Sequence, residues 1–419
     1  MPQAKTQRGE APRFEELLAR AEALVPVLRE RAPRAEQLRR LPDETIADLH
    51  ESGLFRIGQP VAVYSPPRNS ARSYPHQPSV LRRTAMVIDT HAHVVPGSLI
   101  ETLRNEWRLF PSVKLHDGAM PRMEFAGGGP GRPIQPQLWD LTQRSNWLAQ
   151  TRIDRQLVGG WTDVYGYDLP GAEGADWARL YNEHMRRDAA GLSQLTALAT
   201  VPLQDGVLAA RVLEEALDTG FEGAMIATQP KGVGGNLDDP SLDPFWEVAS
   251  ARQAAIFLHP HYICGDERLA DYDLVNAVGR LTDTTIAVAR LLFSGHLTRF
   301  PGVSLVLSHA GGALPYALGR LKRNRAIHPN YADPVDGFRR LYFDTVMFEP
   351  RALRFLCDTV GADRIMLGSD YPFGIGDPEP RRIIEETSLT EAERQAILGE
   401  TAARIFHIDC GCGTSDKGC

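Results

Sequence analysis

The chain has 419 residues, with 46 Lys and Arg against 53 Asp and Glu, a formal net charge of -7, and 43% hydrophobic and 24% charged residues. This is the composition of an ordinary globular chain, long enough for two or three domains of about 150 residues or for one α/β barrel with additions. The mild acidity without a Lys/Arg-rich run argues against nucleic acid as the partner, and no uninterrupted apolar stretch of about 18 residues offers a membrane span.

Residues 1–12 carry charge and no apolar core, unlike a secretory signal, so a cytoplasmic location is expected. Phe14, Leu17, Leu18, Ala21, Leu24, Val25 and Leu28 recur at helical spacing, with Pro26 expected to interrupt them. A second short helix is predicted from Asp43 to Ser52, stopped by Gly53. Residues 1–63 thus read as a helical extension without a core of its own. Residues 64–85, YSPPRNSARSYPHQPSVLRRTA, are rich in Ser, Pro and Arg without periodicity and read as a linker.

From Met86 short β-rich runs alternate with helical stretches. The runs are Val87–Asp89, Gln156–Gly159, Leu195–Val201, Ala224–Ala227, Ala255–Leu258, Val303–Ser308, Leu341–Asp344 and Arg364–Leu367. Helices are predicted over Trp177–Ala189, Val207–Leu217, Phe245–Ala251, Ile286–Leu297, Leu314–Arg325, Glu349–Val360 and Ile383–Phe406. Eight such alternations within residues 86–409 fit a (β/α)8 TIM barrel better than an open, doubly wound sheet. Gly97–Trp147 is an insertion expected to arch over the mouth of the barrel. Cys264 and Cys357 fall inside the barrel. Cys410, Cys412 and Cys419 crowd a tail, 410–419, that reads as flexible rather than as part of a disulfide framework.

Barrel chemistry sits where strands end at their C-termini. The first strand ends Asp89-Thr90-His91-Ala92-His93, and a spacing of two on extended backbone points both imidazoles to one side. The fifth ends His259-Pro260-His261, the sixth Ser308-His309-Ala310-Gly311-Gly312, and the eighth Ser369-Asp370-Tyr371-Pro372. An H-x-H pair, one more His and one carboxylate supply three nitrogens and one oxygen to a divalent cation of zinc type and leave an open position. A remaining His is free to move protons near neutral pH.

The segments IDTHAHVVP, FLHPH, FPGVSLVLSHAGGALPYALGRL and RIMLGSDYPFG make residues 86–409 resemble the amidohydrolase superfamily. Within it the resemblance is to the metal-dependent, non-oxidative decarboxylases related to 2-amino-3-carboxymuconate 6-semialdehyde decarboxylase and to the phenolic-acid decarboxylases. It implies a carboxy-lyase for a small aromatic or unsaturated carboxylic acid, working as a homodimer with one divalent metal ion, zinc first and manganese second. It implies His91, His93, His259 and Asp370 as ligands and His309 as the acid/base group. Relatives with two metals use a carboxylated lysine at the end of the fourth strand; Lys231 comes too late for this, so one metal is expected.

The same resemblance implies Arg132 and Arg290 as holders of the substrate's carboxylate, a task suited to the guanidinium fork. His261 stands where the muconate enzyme often has Trp and is a candidate substrate contact. Trp139 and Trp161 are candidate pocket walls. Two routes stay open: His309 as base toward a metal-activated water, or a chelated substrate whose carbon Asp370 protonates before C–C cleavage. A hydrolase or hydratase acting on a lactone, amide or unsaturated acid is the alternative. Residues 13–59 separately look like the opening helices of flavin-dependent monooxygenases of acyl-CoA dehydrogenase fold, too short a piece to bind flavin, which makes Met86 a plausible start of the enzyme.

Overall fold

The structure, a computed structural model, describes residues 14–38, 42–52, 86–106, 110–230, 235–261 and 264–409. The predicted linker 64–85, Lys231 and the cysteine tail lie outside the described residues. The chain divides into two compact units, residues 1–81 and 82–419.

In the first unit a helix spans Phe14–Leu38 and another Asp43–Glu51. Pro26 lies inside the first helix and does not interrupt it. Its ring removes one backbone hydrogen bond, and the residue four places earlier, Glu22, is exposed, so water can take the freed carbonyl. Arg31 joins the two helices, reaching Asp48 at 2.7 Å and Thr45 at 3.3 Å.

Among the described residues the second unit carries ten strands: β1 (Ile88–Val94), β2 (Val113–His116), β3 (Arg122–Phe125), β4 (Arg155–Gly160), β5 (Leu195–Ala197), β6 (Gly223–Ala227), β7 (Ala255–His259), β8 (Ser304–Leu307), β9 (Tyr342–Asp344) and β10 (Ile365–Met366). β1, β4 and β5 pair in parallel, as do β6 through β10 in chain order. Parallel bridges Ala92↔Tyr371 and Ala199↔Ala224 close the two seams. The eight predicted strands therefore form the expected (β/α)8 barrel. β1, β6 and β7 are buried at every residue, which their near-continuous apolar runs require when both faces of a parallel sheet are covered.

Two helices differ from expectation. The Ile286–Leu297 prediction becomes Arg280–Phe293, starting earlier, and a short helix His296–Arg299 after Gly295, whose φ is 72°. The final stretch breaks because Thr390 starts a new helix: its hydroxyl accepts from the Glu393 N–H while the Glu393 side chain returns to the Thr390 N–H. The insertion also departs from the expected arch. It contains the antiparallel β2–β3 hairpin, and Phe110 and Phe125 pack edge-on against Trp177 of the outer helix Gly171–Ala190, at 5.6 and 5.3 Å. Apolar rings drive it onto the flank of the barrel, and only Arg132 of Gly97–Trp147 lines the central cavity among the described residues.

Candidate functional site

β1 delivers His91 and His93, β7 ends on His259, and Asp370 follows β10 in a left-handed turn with φ 58°. The resulting side chains, all buried, bring one ligand atom each to within 4.8 Å of one another. His91 Nε2 lies 3.3 Å from His93 Nε2, and Asp370 Oδ1 lies 3.3, 3.2 and 4.0 Å from the Nε2 atoms of His91, His93 and His259. Gly368 permits this closeness: a Cβ there would sit 3.1 Å from that of His91 and 3.0 Å from that of Asp344.

Partners behind the ligands set which nitrogen faces the cluster. His93 Nδ1 lies 3.2 Å from the Gly160 carbonyl, which takes its proton and leaves Nε2 bare. His91 Nδ1 lies 2.6 Å from Asp344 Oδ2, a contact not predicted from sequence. Asp344, fully buried at the end of β9, also accepts the backbone N–H groups of His309, Ala310 and Val346. One carboxylate thus orients a candidate ligand, His91, and fixes the turn that carries His309. Asp344→Asn is expected to lower divalent-metal affinity about 10–100-fold, read by competition with a chelator; unchanged affinity would mean that Asp344 supports only the turn.

Asp89 ties the same strand to its neighbours. It accepts from the Ser369 hydroxyl at 2.5 Å, the Ser369 N–H at 3.0 Å, the Gln156 amide at 2.8 Å and the His91 N–H at 3.1 Å. Burial pushes its carboxyl up to about 6 against the pull of these bonds. Buried Arg144 completes the chain, donating to Gln156 Oε1 at 2.7 Å and to the His93 carbonyl at 2.6 Å. β1, β4 and β10 are locked together beneath the candidate ligands.

The cluster asks for a cation. Both ring nitrogens of His259 and Oδ1 of Asp370 are buried without a hydrogen bond, a costly state for polar atoms unless an ion completes it. Burial, reinforced by the charges of His93 and His91, holds His259 well below the usual imidazole range, so it offers a lone pair. Asp370 is held well below the usual carboxylate range: burial opposes this, but the charge of His91 and the nearness of the His309, His91 and His93 rings outweigh it. Three imidazoles and one carboxylate fit a single divalent ion.

A cavity of about 950 Å³ opens over this cluster, lined by His259, Asp370, His309, Arg132, Arg280 and Trp161 among others. His309 Nε2 stands 3.5 Å from Asp370 Oδ2, outside the four-residue set, and its Nδ1 is buried without a hydrogen bond. Its backbone takes φ 51°, followed by Ala310, Gly311 and Gly312, all with positive φ. A Cβ at Gly312 would lie 2.4 Å from the Leu281 carbonyl, so only glycine lets this turn pass the helix Arg280–Phe293.

The other predicted residues separate. Arg132 lines the cavity, lies 4.9 Å over the Trp161 ring, and has its fork on Asp163 at 2.7 and 2.6 Å. His261 Nδ1 is 4.0 Å from the same Asp163, a residue that carries no mark of this role in the sequence. Arg290, expected in the substrate site, does not line the cavity. It points outward from its helix and is gripped by Asp238 at 2.8 and 3.1 Å. Trp161 forms a wall, with Phe373 6.1 Å away, whereas Trp139 is not part of the lining. Arg280, unremarked in the sequence, is.

The chain is 27% identical over 335 residues to the 2-amino-3-carboxymuconate-6-semialdehyde decarboxylase of Dictyostelium discoideum, a match spanning 78% of this chain and 92% of that one. It is 30% identical over 340 residues to a 6-methylsalicylic acid decarboxylase of Aspergillus aculeatus, spanning 77% and 96%. The crystal structure of 5-carboxyvanillate decarboxylase from Sphingomonas paucimobilis is similar with a TM-score of 0.65 at 25% identity, covering 78% of this chain and 100% of that one. The monooxygenase resemblance of residues 13–59 finds no support in these comparisons. No described helix is long and apolar enough to cross a membrane. The family described as Amidohydrolase matches residues 88–408, which hold the whole barrel and its strand-end cluster, and the chain belongs to that family.

Proposed function

We propose that the chain is a metal-dependent carboxy-lyase that releases carbon dioxide non-oxidatively from a small aromatic or unsaturated carboxylic acid. The observation that carries this is the shared cavity: His259 and Asp370 of the ligand set, the separate imidazole of His309 and two arginines all face one space between aromatic walls. The donor set of three nitrogens and one oxygen favours zinc, with manganese second. When bound, such an ion polarises substrate oxygens as a Lewis acid or lowers the pKa of water.

The chain's own residues do the rest. Trp161 and Phe373 offer flat apolar faces to an unsaturated substrate. Arg132, stiffened by Asp163, presents the edge that Asp163 leaves free to a carboxylate. Loss of carbon dioxide leaves the bonding pair on the substrate carbon, which must gain a proton. His309 stands at the cavity beside Asp370 to deliver it; Asp370, held ionised, is the second candidate only once it has itself taken up a proton, as from a substrate hydroxyl. Measuring carbon dioxide release from a panel of hydroxybenzoates and carboxymuconates, with metal content determined alongside, tests this reading. Hydrolysis of lactones or amides without release from any acid would sink it. The homodimer belongs to the same reading and is checked by light scattering.

Residues 1–85 are not needed in this scheme. A chain begun at Met86 is expected to keep its thermal midpoint and its activity, because β1 starts at Ile88 and the compact units divide at 81/82. An insoluble or inactive product would show that the extension supports the barrel.

A further inference from the structure

Two arginines face the cavity, and they are held in different ways. Arg132 gives Nε and Nη2 to the two oxygens of Asp163, so its charge is balanced and one edge of its fork is taken. Arg280 is held by neutral oxygens. Its Nε donates to Asn276 Oδ1 at 2.8 Å, and its Nη1 to the carbonyls of Pro260 and His261 at 3.2 and 3.0 Å. Among the described residues no carboxylate pairs with it; Asp273, also at the cavity, bonds instead to the Asn276 amide at 3.0 Å.

This mode of holding has consequences. A guanidinium bound only by carbonyl and amide oxygens keeps its full positive charge while its position is fixed before any ligand arrives. The two carbonyls directly follow the ligand His259 in the chain, so the cation is set in register with the metal cluster. Burial and the like charge of Arg132 both disfavour the Arg280 cation, against which Asp163, Asp370 and Asp273 act from a distance. An anion delivered by a ligand would relieve that state, and Nη2, which makes no hydrogen bond to a described residue, is the donor left for it.

We infer that Arg280 binds a second acidic group on the substrate, so that the preferred substrates are aromatic or unsaturated acids carrying two carboxylates. One carboxylate lies at the metal cluster and the other on Arg280. This rests on the proposed function for the identity of the site, but not for its test. The full chain, loaded with its metal, is titrated calorimetrically with isophthalate and with benzoate, which differ by one carboxylate and both lack the hydroxyl of a hydroxybenzoate substrate. Wild-type protein is expected to bind isophthalate the more tightly. Arg280→Gln is expected to weaken isophthalate binding by about ten- to hundredfold, the usual worth of a hydrogen bond to a charged group, while benzoate binding is unchanged.

Arg280→Lys keeps the charge and loses the fork, so its preference should fall between the two. A purely structural Arg280 would instead weaken both ligands alike and lower the thermal midpoint. Equal affinity of wild-type protein for the two acids, or equal losses in Arg280→Gln, overturns the assignment. If Arg280→Gln does not fold, an unchanged preference in Arg280→Lys overturns it, and a reduced preference with benzoate binding intact supports it. Because binding is read without turnover, a preference for isophthalate that depends on Arg280 stands even if no acid releases carbon dioxide. Carbon dioxide release without that preference leaves the carboxy-lyase standing and removes this assignment.

Discussion

His91→Ala and His259→Ala are each expected to lose the divalent ion and the activity together, with metal per chain, read by mass spectrometry of the purified protein, falling to background. Loss of a partner behind a ligand costs about 10–100-fold in affinity, and loss of the ligand itself costs more. The two variants should nevertheless differ in the metal-free fold. His91 is bonded to Asp344 at 2.6 Å, so its removal takes one partner from a fully buried carboxylate. Breaking a buried charge pair costs about 3–5 kcal/mol, softened here by the three backbone N–H groups that Asp344 keeps. His259 makes no hydrogen bond through either ring nitrogen, so its removal leaves no polar group stranded. In chelator, His259→Ala should therefore melt above His91→Ala. Full metal occupancy in either variant, or the reverse order of melting, would show that the ligand set or its support is misassigned.

The parts of this site that the sequence reveals are those that follow from one rule applied strand by strand. Each apolar run is short and buried on both faces, so its end is visible where polar residues resume: His91 and His93 after Ile88, His259 after Leu258, Asp370 two residues after Gly368. The same rule reaches Asp344, the last residue of β9, but a lone aspartate at a strand end carries no mark of what it holds. Its partners come from β1 and from the turn after β8, which only the closed barrel brings together. Helix facing is equally hidden. Arg280 and Arg290 lie on one helix, and with about 3.6 residues per turn ten positions bring them to different faces, one to the cavity and one to Asp238. The β2–β3 hairpin escaped because its strands have four residues each and its burial comes from Trp177, far along the chain.

Replacing His309 by Asn separates catalysis from metal binding. Among the described residues His309 is the one imidazole lining the cavity outside the four-residue set, standing 3.5 Å from Asp370 through Nε2. Its backbone is held independently of its ring, through the N–H given to Asp344 at 3.0 Å, so an Asn side chain should leave the turn in place. Asn also tolerates the left-handed conformation that φ 51° imposes better than most residues. What disappears is the titrating group, and losing general acid–base assistance of this kind costs roughly 10²–10⁴ in rate. Metal content should remain at the wild-type level, because His91, His93, His259 and Asp370 are untouched. Turnover is measured as carbon dioxide release at saturating substrate, so that a change in binding does not enter. A His309→Asn enzyme with full turnover would move the proton transfer to Asp370, whose Oδ2 lies 3.5 Å from the His309 ring; one that had lost its metal would make His309 a ligand.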